Sequence, residues 1–268
     1  MSAIVEDAEI DPGRAVLLRR EGAVAHVRFN RPALLNAIDP TLALQFRRAC
    51  EQLAGDDSVR AVVLSGEGRA FMAGGDLGAM HADVSVVPDI IANMHAGLLR
   101  LAELSAPVIA SVHGQVAGGG FGVALACDLC IAAAGTRFTM AYPLIGTNSD
   151  CGTSWGLARM LGVRRAMEVA LLSEPIEASD ALRLGLVNRV VPADELAAAT
   201  RELAARLASG PTLAYGNLKR LLREAGGRSL AQQLDAEAEG FLRCTATADF
   251  AEGVAAFLQK RPPRFDGR

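Results

Sequence analysis

The stretch VHGQVAGGGFGVALACD, residues 112–128, decides the fold prediction because closely spaced glycines separate two apolar segments. PVIASV, residues 107–112, leads into it and is typical of a buried strand, and the glycines run directly into a short apolar helix. Glycine exposes backbone N–H groups and permits positive φ angles. At a helix start these N–H groups have no intrahelical partner, and the helix dipole favours negative charge there. The stretch therefore predicts a strand, a glycine-rich turn and a helix.

A second glycine-rich turn also follows a predicted strand. RAVVLSG, residues 60–66, has the composition of a buried strand, and FMAGGDLG, residues 71–78, comes soon after it. Two such turns facing one another could hold an oxygen that becomes negative during a reaction. Tight turns and close helix–sheet packing are the alternative use of these glycines, and spacing alone leaves both open.

The rest of the pattern predicts an α/β core followed by a helical region. AVLLRR and VAHVRFN pair as strands around Glu21 and Gly22, and a helix then follows Asp39 or Thr41 as its cap. Beyond about residue 150 helical patterns dominate, and LVNRVV is the only predicted strand. Strands that recur with helices between them favour parallel pairing with right-handed crossovers.

Composition excludes several classes of protein. The chain has 268 residues, 51% of them hydrophobic, which is enough for a full-sized core. Its net charge is only −3 and no block of lysine or arginine stands out, so neither nucleic acid nor a membrane surface is predicted as a partner. The acidic start MSAIVEDAEIDPG does not resemble a signal peptide. The apolar stretch 107–135 is interrupted by polar residues and glycines, which predicts buried elements rather than a transmembrane helix.

No metal or dinucleotide cofactor is predicted. Cys127 and Cys130 form a C-x-x-C pair, but no second pair completes a zinc site, and the four histidines lack metal-ligand spacing. The phosphate loop, the dinucleotide fingerprint and the nucleophile elbow of the hydrolases are all missing. Five scattered cysteines are typical of buried free thiols in a reducing compartment, which predicts the cytoplasm.

Several motifs, in order along the chain, resemble the crotonase superfamily of enoyl-CoA hydratases and isomerases. The resemblance implies an α/β spiral of ββα units over 1–195 and a helical region over 196–268 that assembles trimers or dimers of trimers. It also implies an acyl-CoA thioester as substrate, with coenzyme A arriving as part of that substrate and no other cofactor. The motifs cover nearly the whole chain: VRFNRPALLNA, VVLSGEGRAFMAGGDL, PVIASVHGQVAGGGFGVALACDLCIAA, RFTMAYPLIGTNSDCGTSWGLARMLG, GLVNRVVP and GVAAFLQKRPPRF.

The resemblance also implies roles for single residues. The backbone N–H groups of Gly75 and Gly119, with Gly118 beside them, would bind the thioester carbonyl oxygen. Asp76 would order the first glycine-rich turn. Two segments and a C-terminal pair, the pair often from a neighbouring subunit, would approach the coenzyme A moiety: Leu35, Asn36, Ala37, Ala73, Asp76, Leu77, Phe257 and Lys260.

The chain departs from the hydratases at two positions. Those enzymes use two glutamates to handle one water, and the corresponding residues here are Gly122 and Tyr142. Ordinary hydratase activity is therefore predicted to be weak or absent, and Tyr142 is predicted to be a wall of the substrate pocket or a hydroxyl held by the backbone. Asp150 falls where some relatives, among them the isomerases of phenylacetate degradation, carry a lone catalytic aspartate.

We therefore predict an isomerase that shifts a C=C bond of an acyl-CoA, or a related aryl-CoA isomerase, with Asp150 moving the proton. The alternative for Asp150 is a cap of the helix that begins near Cys151. Aryl-CoA dehalogenases resemble the chain as well, because their histidine base corresponds to His95, although a packed histidine without chemical duty is the other interpretation. Enoyl-CoA hydratase activity and non-catalytic binding of an acyl-CoA or an RNA complete the alternatives.

Overall fold

The computed structural model describes residues 13–268, and nine strands lie in this part of the chain. The first two strands form an antiparallel hairpin, and Gly22 between them has a φ of 55°, in the left-handed region that favours glycine. The hairpin predicted around Glu21 and Gly22 is confirmed. The strands are β1 (Val16–Glu21), β2 (Val24–Phe29), β3 (Ala61–Gly66), β4 (Val108–Val112), β5 (Gln115–Ala117), β6 (Leu129–Ala133), β7 (Arg137–Thr139), β8 (Ile176–Glu177) and β9 (Arg189–Val191).

Ten α-helices alternate with these strands and then dominate the described part of the chain. Asp39 caps the first of them, because its carboxylate accepts the backbone N–H of Leu42 at 2.7 Å. The helices are α1 (Pro40–Ala54), α2 (Leu77–Ala82), α3 (Val87–Glu103), α4 (Gly119–Ala126), α5 (Thr153–Leu172), α6 (Ala178–Arg183), α7 (Leu196–Ala208), α8 (Thr212–Glu224), α9 (Leu230–Thr245) and α10 (Ala248–Leu258).

The main sheet has six strands in the order β1-β2-β3-β4-β6-β9. All pairs except β1–β2 are parallel, as predicted from the alternation of strands and helices. Successive side chains of β3 point to opposite faces. Val62 and Leu64 join the large core that includes α1 and α3, while Val63 packs with Ile109 and with Ala204 of α7 on the other face. The predicted α/β class is confirmed.

A second sheet of three short strands, β5-β7-β8, was not predicted. β8 is only two residues long, so the prediction that LVNRVV is the only strand beyond residue 150 was wrong. A two-residue strand leaves no periodic signal in the sequence. Strand β5 of this small sheet leads directly into the glycines before α4. Strand β7 leads into the segment that contains Tyr142.

The helical region begins on the main sheet and then leaves it. α7 covers the face of β3, β4 and β6, so the first helix beyond residue 195 packs against the core. Asp128 ties α8 to the sheet, since its carboxylate pairs with Lys219 at 2.7 Å and Arg223 at 2.8 Å and accepts the Val108 N–H at 2.8 Å. The division of the chain at residue 195 and trimer formation by the later helices stay predictions.

Candidate active site

The two glycine-rich turns lie directly against each other. Met72 accepts the N–H of Ala117 at 2.9 Å and donates its own N–H to Gln115 at 3.2 Å. A Cβ atom added at Gly118 would lie 3.5 Å from the Cα of Gly74, and both glycines have positive φ angles. Because the two backbones approach this closely, the glycines serve tight turns and close packing, and their use as donors to an oxyanion stays a prediction.

Both turns contain backbone donors without an acceptor. The N–H of Asp76, after Gly75, is taken by Ile38 at 2.9 Å, and that of Gly118, before Gly119, is taken by Thr139 at 3.1 Å. Within residues 13–268, no acceptor takes the N–H of Gly75 or of Gly119. Gly119 is also the first residue of α4, where the helix dipole favours negative charge.

The two segments predicted to approach coenzyme A are hydrogen bonded to one another. Leu35 accepts the N–H of Ala73 at 3.0 Å, and Ile38 donates its N–H to Gly74 at 2.8 Å. Leu35 and Asn36 both have left-handed backbone, with φ angles of 52° and 58°. The structure thus places the segment 35–37 beside the segment 73–77, next to the first glycine-rich turn.

The side chain of Asn36 has a structural role instead of a free polar surface. It is fully buried, and its Oδ1 accepts the N–H of Arg31 at 2.8 Å. Its Nδ2 donates to the carbonyl groups of Ala70 at 2.8 Å, Glu67 at 3.0 Å and Phe71 at 3.1 Å. Asn36 therefore fixes the loop that leads into the first glycine-rich turn, and only its backbone remains for a ligand.

Asp76 orders the same turn, as its predicted role requires. Its Oδ1 accepts the N–H of Ala79 at 3.1 Å and so caps α2, while its Oδ2 pairs with Arg31 at 3.1 Å. Burial opposes ionisation of this carboxyl group, but the Ala79 N–H and the Arg31 guanidinium outweigh it and lower the pKa of Asp76. Arg31 also pairs with Asp39 at 3.1 Å, a contact that sequence reasoning missed.

The carboxylate of Asp150 does not cap α5. The cap residue is Gly152, and no side chain accepts a backbone N–H of the first helical turn. The hydroxyl of Tyr142 instead donates to Oδ1 of Asp150 at 2.6 Å, and only the backbone carbonyl of Asp150 accepts the N–H of Thr153, at 3.0 Å. The capping alternative is therefore wrong in this structure, because a left-handed glycine separates the carboxylate from the helix.

Tyr142 is the partner of Asp150, a pairing that the sequence did not reveal. The ring is buried, and burial together with the nearby carboxylate raises the pKa of Tyr142 well above its ordinary value. The phenol is therefore a neutral donor at all physiological pH values. The hydroxyl of Tyr142 is therefore hydrogen bonded to the carboxylate of Asp150, eight residues further along the chain.

His95 reaches the same segment from α3. Its Nε2 accepts the backbone N–H of Cys151 at 3.2 Å, which requires the neutral ring with its proton on Nδ1. Cys151 has a φ of 49°, an uncommon conformation for a residue other than glycine. The structure thus brings two predicted residues, His95 and Asp150, to adjacent points of one short segment.

The second glycine-rich turn lies beside the Asp150 carboxylate. A Cβ atom added at Gly119 would be 3.9 Å from Oδ1 of Asp150 and 3.4 Å from Sγ of Cys151. One turn further along α4, a Cβ atom at Gly122 would be 2.5 Å from Oγ1 of Thr153 and 2.6 Å from the carbonyl oxygen of Cys151. The position that holds a glutamate in the resembled hydratases therefore has no room for any side chain here.

Phe257 and Lys260 do not join this cluster within the single chain. Phe257, near the end of α10, is 83% exposed, and Lys260 is exposed with a φ of 53°. Neither side chain makes a hydrogen bond or an ion pair among residues 13–268. Their predicted approach to coenzyme A stays a prediction.

The described residues contain neither a metal-binding cluster nor a helix that could span a membrane. Between residues 13 and 268, no three His, Cys, Asp or Glu side chains are grouped so as to hold a metal ion. None of the helices in that part of the chain combines the length and hydrophobicity of a membrane span.

Comparison with known proteins defines the class to which this site belongs. The family model described as enoyl-CoA hydratase/isomerase matches residues 19–268. A crystal structure of an enoyl-CoA hydratase from Polaromonas sp. JS666 superposes with a TM-score of 0.88 at 34% identity, covering 93% of this chain and 99% of that one. The chain belongs to the enoyl-CoA hydratase/isomerase family and has the crotonase fold, as the motifs predicted.

The names of individual relatives differ in the reaction they state. The 1,2-epoxyphenylacetyl-CoA isomerase of Escherichia coli K12 is 37% identical over 94% of this chain and 98% of its own length. A 4-chlorobenzoyl coenzyme A dehalogenase from an Arthrobacter species is 34% identical over 88% of each chain. Membership of the family makes this protein an enzyme acting on acyl-CoA thioesters, and its particular reaction has to be argued from the site.

Proposed function

We propose that this protein is an isomerase that moves the C=C bond of an unsaturated acyl-CoA from the 3-position to the 2-position, or performs a related aryl-CoA isomerisation. The observation that carries the proposal is the single carboxylate of Asp150 beside Gly119, with no acid at positions 122 and 142. A reaction that moves one proton between two carbons of one substrate needs only one such group.

The proposed reaction has two proton transfers. The Asp150 carboxylate removes a proton from the α-carbon of a 3-enoyl-CoA, and the electron pair of that C–H bond moves into the thioester as a dienolate. The N–H groups of Gly75 and Gly119 would hold the enolate oxygen, each worth about 3 kcal/mol in comparable sites. The acid form of Asp150 then gives the proton to the γ-carbon, which leaves the double bond conjugated with the thioester.

Hydration fits this site less well. Syn addition of water needs groups that orient and deprotonate the water and protonate the α-carbon. Gly122 cannot be replaced by an acid without displacing Cys151 and Thr153, and the Tyr142 hydroxyl is a neutral donor already bound to Asp150. The runner-up is dehalogenation of an aryl-CoA, which the position of His95 next to Asp150 favours. In the observed arrangement, however, the Nε2 lone pair that would activate water is occupied by the Cys151 N–H.

The proposal extends to the coenzyme A moiety and to assembly. The moiety would lie along the paired segments 35–37 and 73–77, with Phe257 and Lys260 of a neighbouring subunit, and no other cofactor takes part.

We propose a homotrimer or a dimer of trimers, in the cytoplasm. Its support is the set of large apolar side chains that the last two helices leave exposed, since apolar residues grouped on a surface can mark an interface: Leu230, Leu234, Phe241, Leu242, Val254, Phe257 and Leu258.

The deciding experiment is the Asp150→Asn variant, assayed by the ultraviolet absorbance of the conjugated thioester formed from a 3-enoyl-CoA. The amide cannot accept the proton, so we expect kcat to fall by about 10²- to 10⁴-fold. The control is Asp194→Asn, which removes an exposed carboxylate outside both glycine-rich turns and the Asp150 segment and should leave kcat unchanged.

Isomerase turnover that survives in Asp150→Asn would refute the proposed role of this residue. Parallel assays separate the other activities: hydration of crotonyl-CoA identifies a hydratase, and chloride release from a chlorinated aryl-CoA identifies a dehalogenase. A protein that binds acyl-CoA but turns over none of these substrates with Asp150 intact would be a binder.

A further inference from the structure

We propose that Tyr142 is a positioning residue that holds the Asp150 carboxylate toward the substrate through a hydrogen bond from its hydroxyl. The inference rests on the proposed function, since it assigns a task to Tyr142 only if Asp150 transfers the proton. It replaces the predicted role of Tyr142 as a passive wall.

The geometry of the contact is that of a strong, charge-assisted hydrogen bond. The phenol oxygen lies 2.6 Å from Oδ1 of Asp150, within the range of O–H donors to carboxylates. It is also 3.3 Å from the backbone carbonyl oxygen of Asp150 and 3.5 Å from Oγ1 of Thr153. The buried ring fixes the position of this oxygen, so the hydroxyl can hold the carboxylate at one place.

The need for such a contact follows from the backbone around Asp150. The chain from Gly146 to Gly152 contains no helix or strand, so no repeating hydrogen bonds fix the carboxylate. Cys151 and Gly152 both have positive φ angles, and His95 holds this bend by accepting the Cys151 N–H. The backbone is thus anchored from α3, whereas the carboxylate itself is held most closely by the hydroxyl of Tyr142.

The contact is also of a kind that depends on charge. A phenol O–H bonds a carboxylate more strongly than it bonds a neutral carboxyl group. The other titratable groups that face the pair are the thiol of Cys151, on the same segment, and the ring of His95 on α3; α4 contributes none. The thiol is buried and its pKa is raised well above the ordinary value, so it stays neutral and adds a second, weaker hydrogen bond to the Asp150 carboxylate.

The experiment alters the strength of the donor in both directions. Tyr142→Phe removes the hydroxyl with little change in bulk, and replacement of Tyr142 by 3-fluorotyrosine gives a more acidic phenol of nearly the same shape. Only two tyrosines occur in the chain, so fluorotyrosine fed to a Tyr215→Phe background labels position 142 alone. Tyr215→Phe with ordinary tyrosine is the matched control, because this second tyrosine lies on α8.

Opposite shifts of the acidic limb of the pH–kcat profile are the expected result. Tyr142→Phe should move this limb upward by about one pH unit and lower kcat by about 10- to 100-fold with KM within a factor of three. Fluorotyrosine should move the limb downward, since a stronger donor stabilises the ionised form. The Tyr215→Phe control should keep the profile of the unaltered enzyme.

Two outcomes would overturn the inference. A limb that stays in place in both variants while Asp150→Asn is inactive would leave the proposed function intact and remove the role of Tyr142. A rise in KM with kcat unchanged would mean that Tyr142 contacts the substrate instead. If Tyr142→Phe does not fold, as circular dichroism would reveal, the fluorotyrosine limb decides alone.

Discussion

The replacement of Gly122 by alanine tests whether α4 and the Asp150 segment are packed as closely as described. The added methyl group would lie 2.5 Å from Oγ1 of Thr153, 2.6 Å from the carbonyl oxygen of Cys151 and 2.8 Å from its Cβ. Contacts this short cannot persist, and two of the three atoms belong to the backbone or to the first carbon of a side chain. The segment that carries Asp150 therefore has to move.

Two opposing terms decide the sign of the stability change. Alanine in place of glycine within a helix stabilises by about 0.5–1 kcal/mol because it reduces the freedom of the unfolded chain. Overpacking of a well-packed site costs about 1–3 kcal/mol. Since three atoms are too close, we expect overpacking to dominate and the free energy of unfolding to fall by about 1–2 kcal/mol. Displacement of a catalytic group by about 1 Å costs about 10²-fold in rate. We therefore expect kcat to fall by about 10²-fold, which corresponds to a larger free energy than the loss of stability.

Urea unfolding followed by circular dichroism and the isomerase assay measure these two effects. The matched control is Gly240→Ala in α9, where the nearest heavy atom to an added Cβ lies 3.8 Å away. We expect this control to keep full activity and to be as stable as the unaltered protein or slightly more stable. A Gly122→Ala variant that behaves like the control would show that the close contact with Cys151 and Thr153 is wrong.

Three further predictions concern the structure around the site. Asn36→Ala should lower the free energy of unfolding by about 3 kcal/mol in urea titrations, since the lost amide leaves several buried carbonyl and N–H groups without partners. Asp128→Asn should cost about 3–5 kcal/mol in the same titrations because it leaves the buried Lys219 unpaired, whereas neutralising the surface residue Asp180 should change stability by less than about 0.5 kcal/mol. Burial raises the pKa of Cys130 to about 12, so between about pH 9 and 12 the unfolded chain loses a proton that the folded protein keeps, and stability falls as pH rises. Cys130→Ala should reduce that slope by about 1 kcal/mol per pH unit between pH 9 and 10, where the thiol of the unfolded chain is only partly ionised, as measured by unfolding at these two pH values.

The main sheet and the glycine-rich turns were predictable because their signals are local. Apolar runs such as that of β3, the Asp39 cap and the glycines before α4 each specify their own backbone, and the structure realises all three. The small sheet was missed because strands of two and three residues form only when a partner is nearby. Its edges are fixed by tertiary packing, which one sequence does not display.

The candidate site was predictable in its members and not in their contacts. Asp150 and the two glycines came from motifs, but the hydrogen bond from Tyr142 depends on how a 3₁₀ turn and an irregular segment fold back on each other. The resemblance places coenzyme A near Asn36, and the structure shows that the side chain of this residue bonds the loop before the glycine-rich turn. Motif spacing does not distinguish a side chain that contacts a ligand from a side chain that only supports the ligand-binding residues.

The mutual contact of the two glycine-rich turns has a consequence for the divergence of enzymes of this type. Met72 and Ala117 join the turns through main-chain atoms, so this contact does not depend on the identity of any side chain. Asp150, the proposed proton-transfer residue, lies on a separate segment more than thirty positions further along the chain. A different reaction can therefore arise by replacing acidic residues on that segment while the two glycine-rich turns stay the same. Such a replacement has to fit the close contact between this segment and α4.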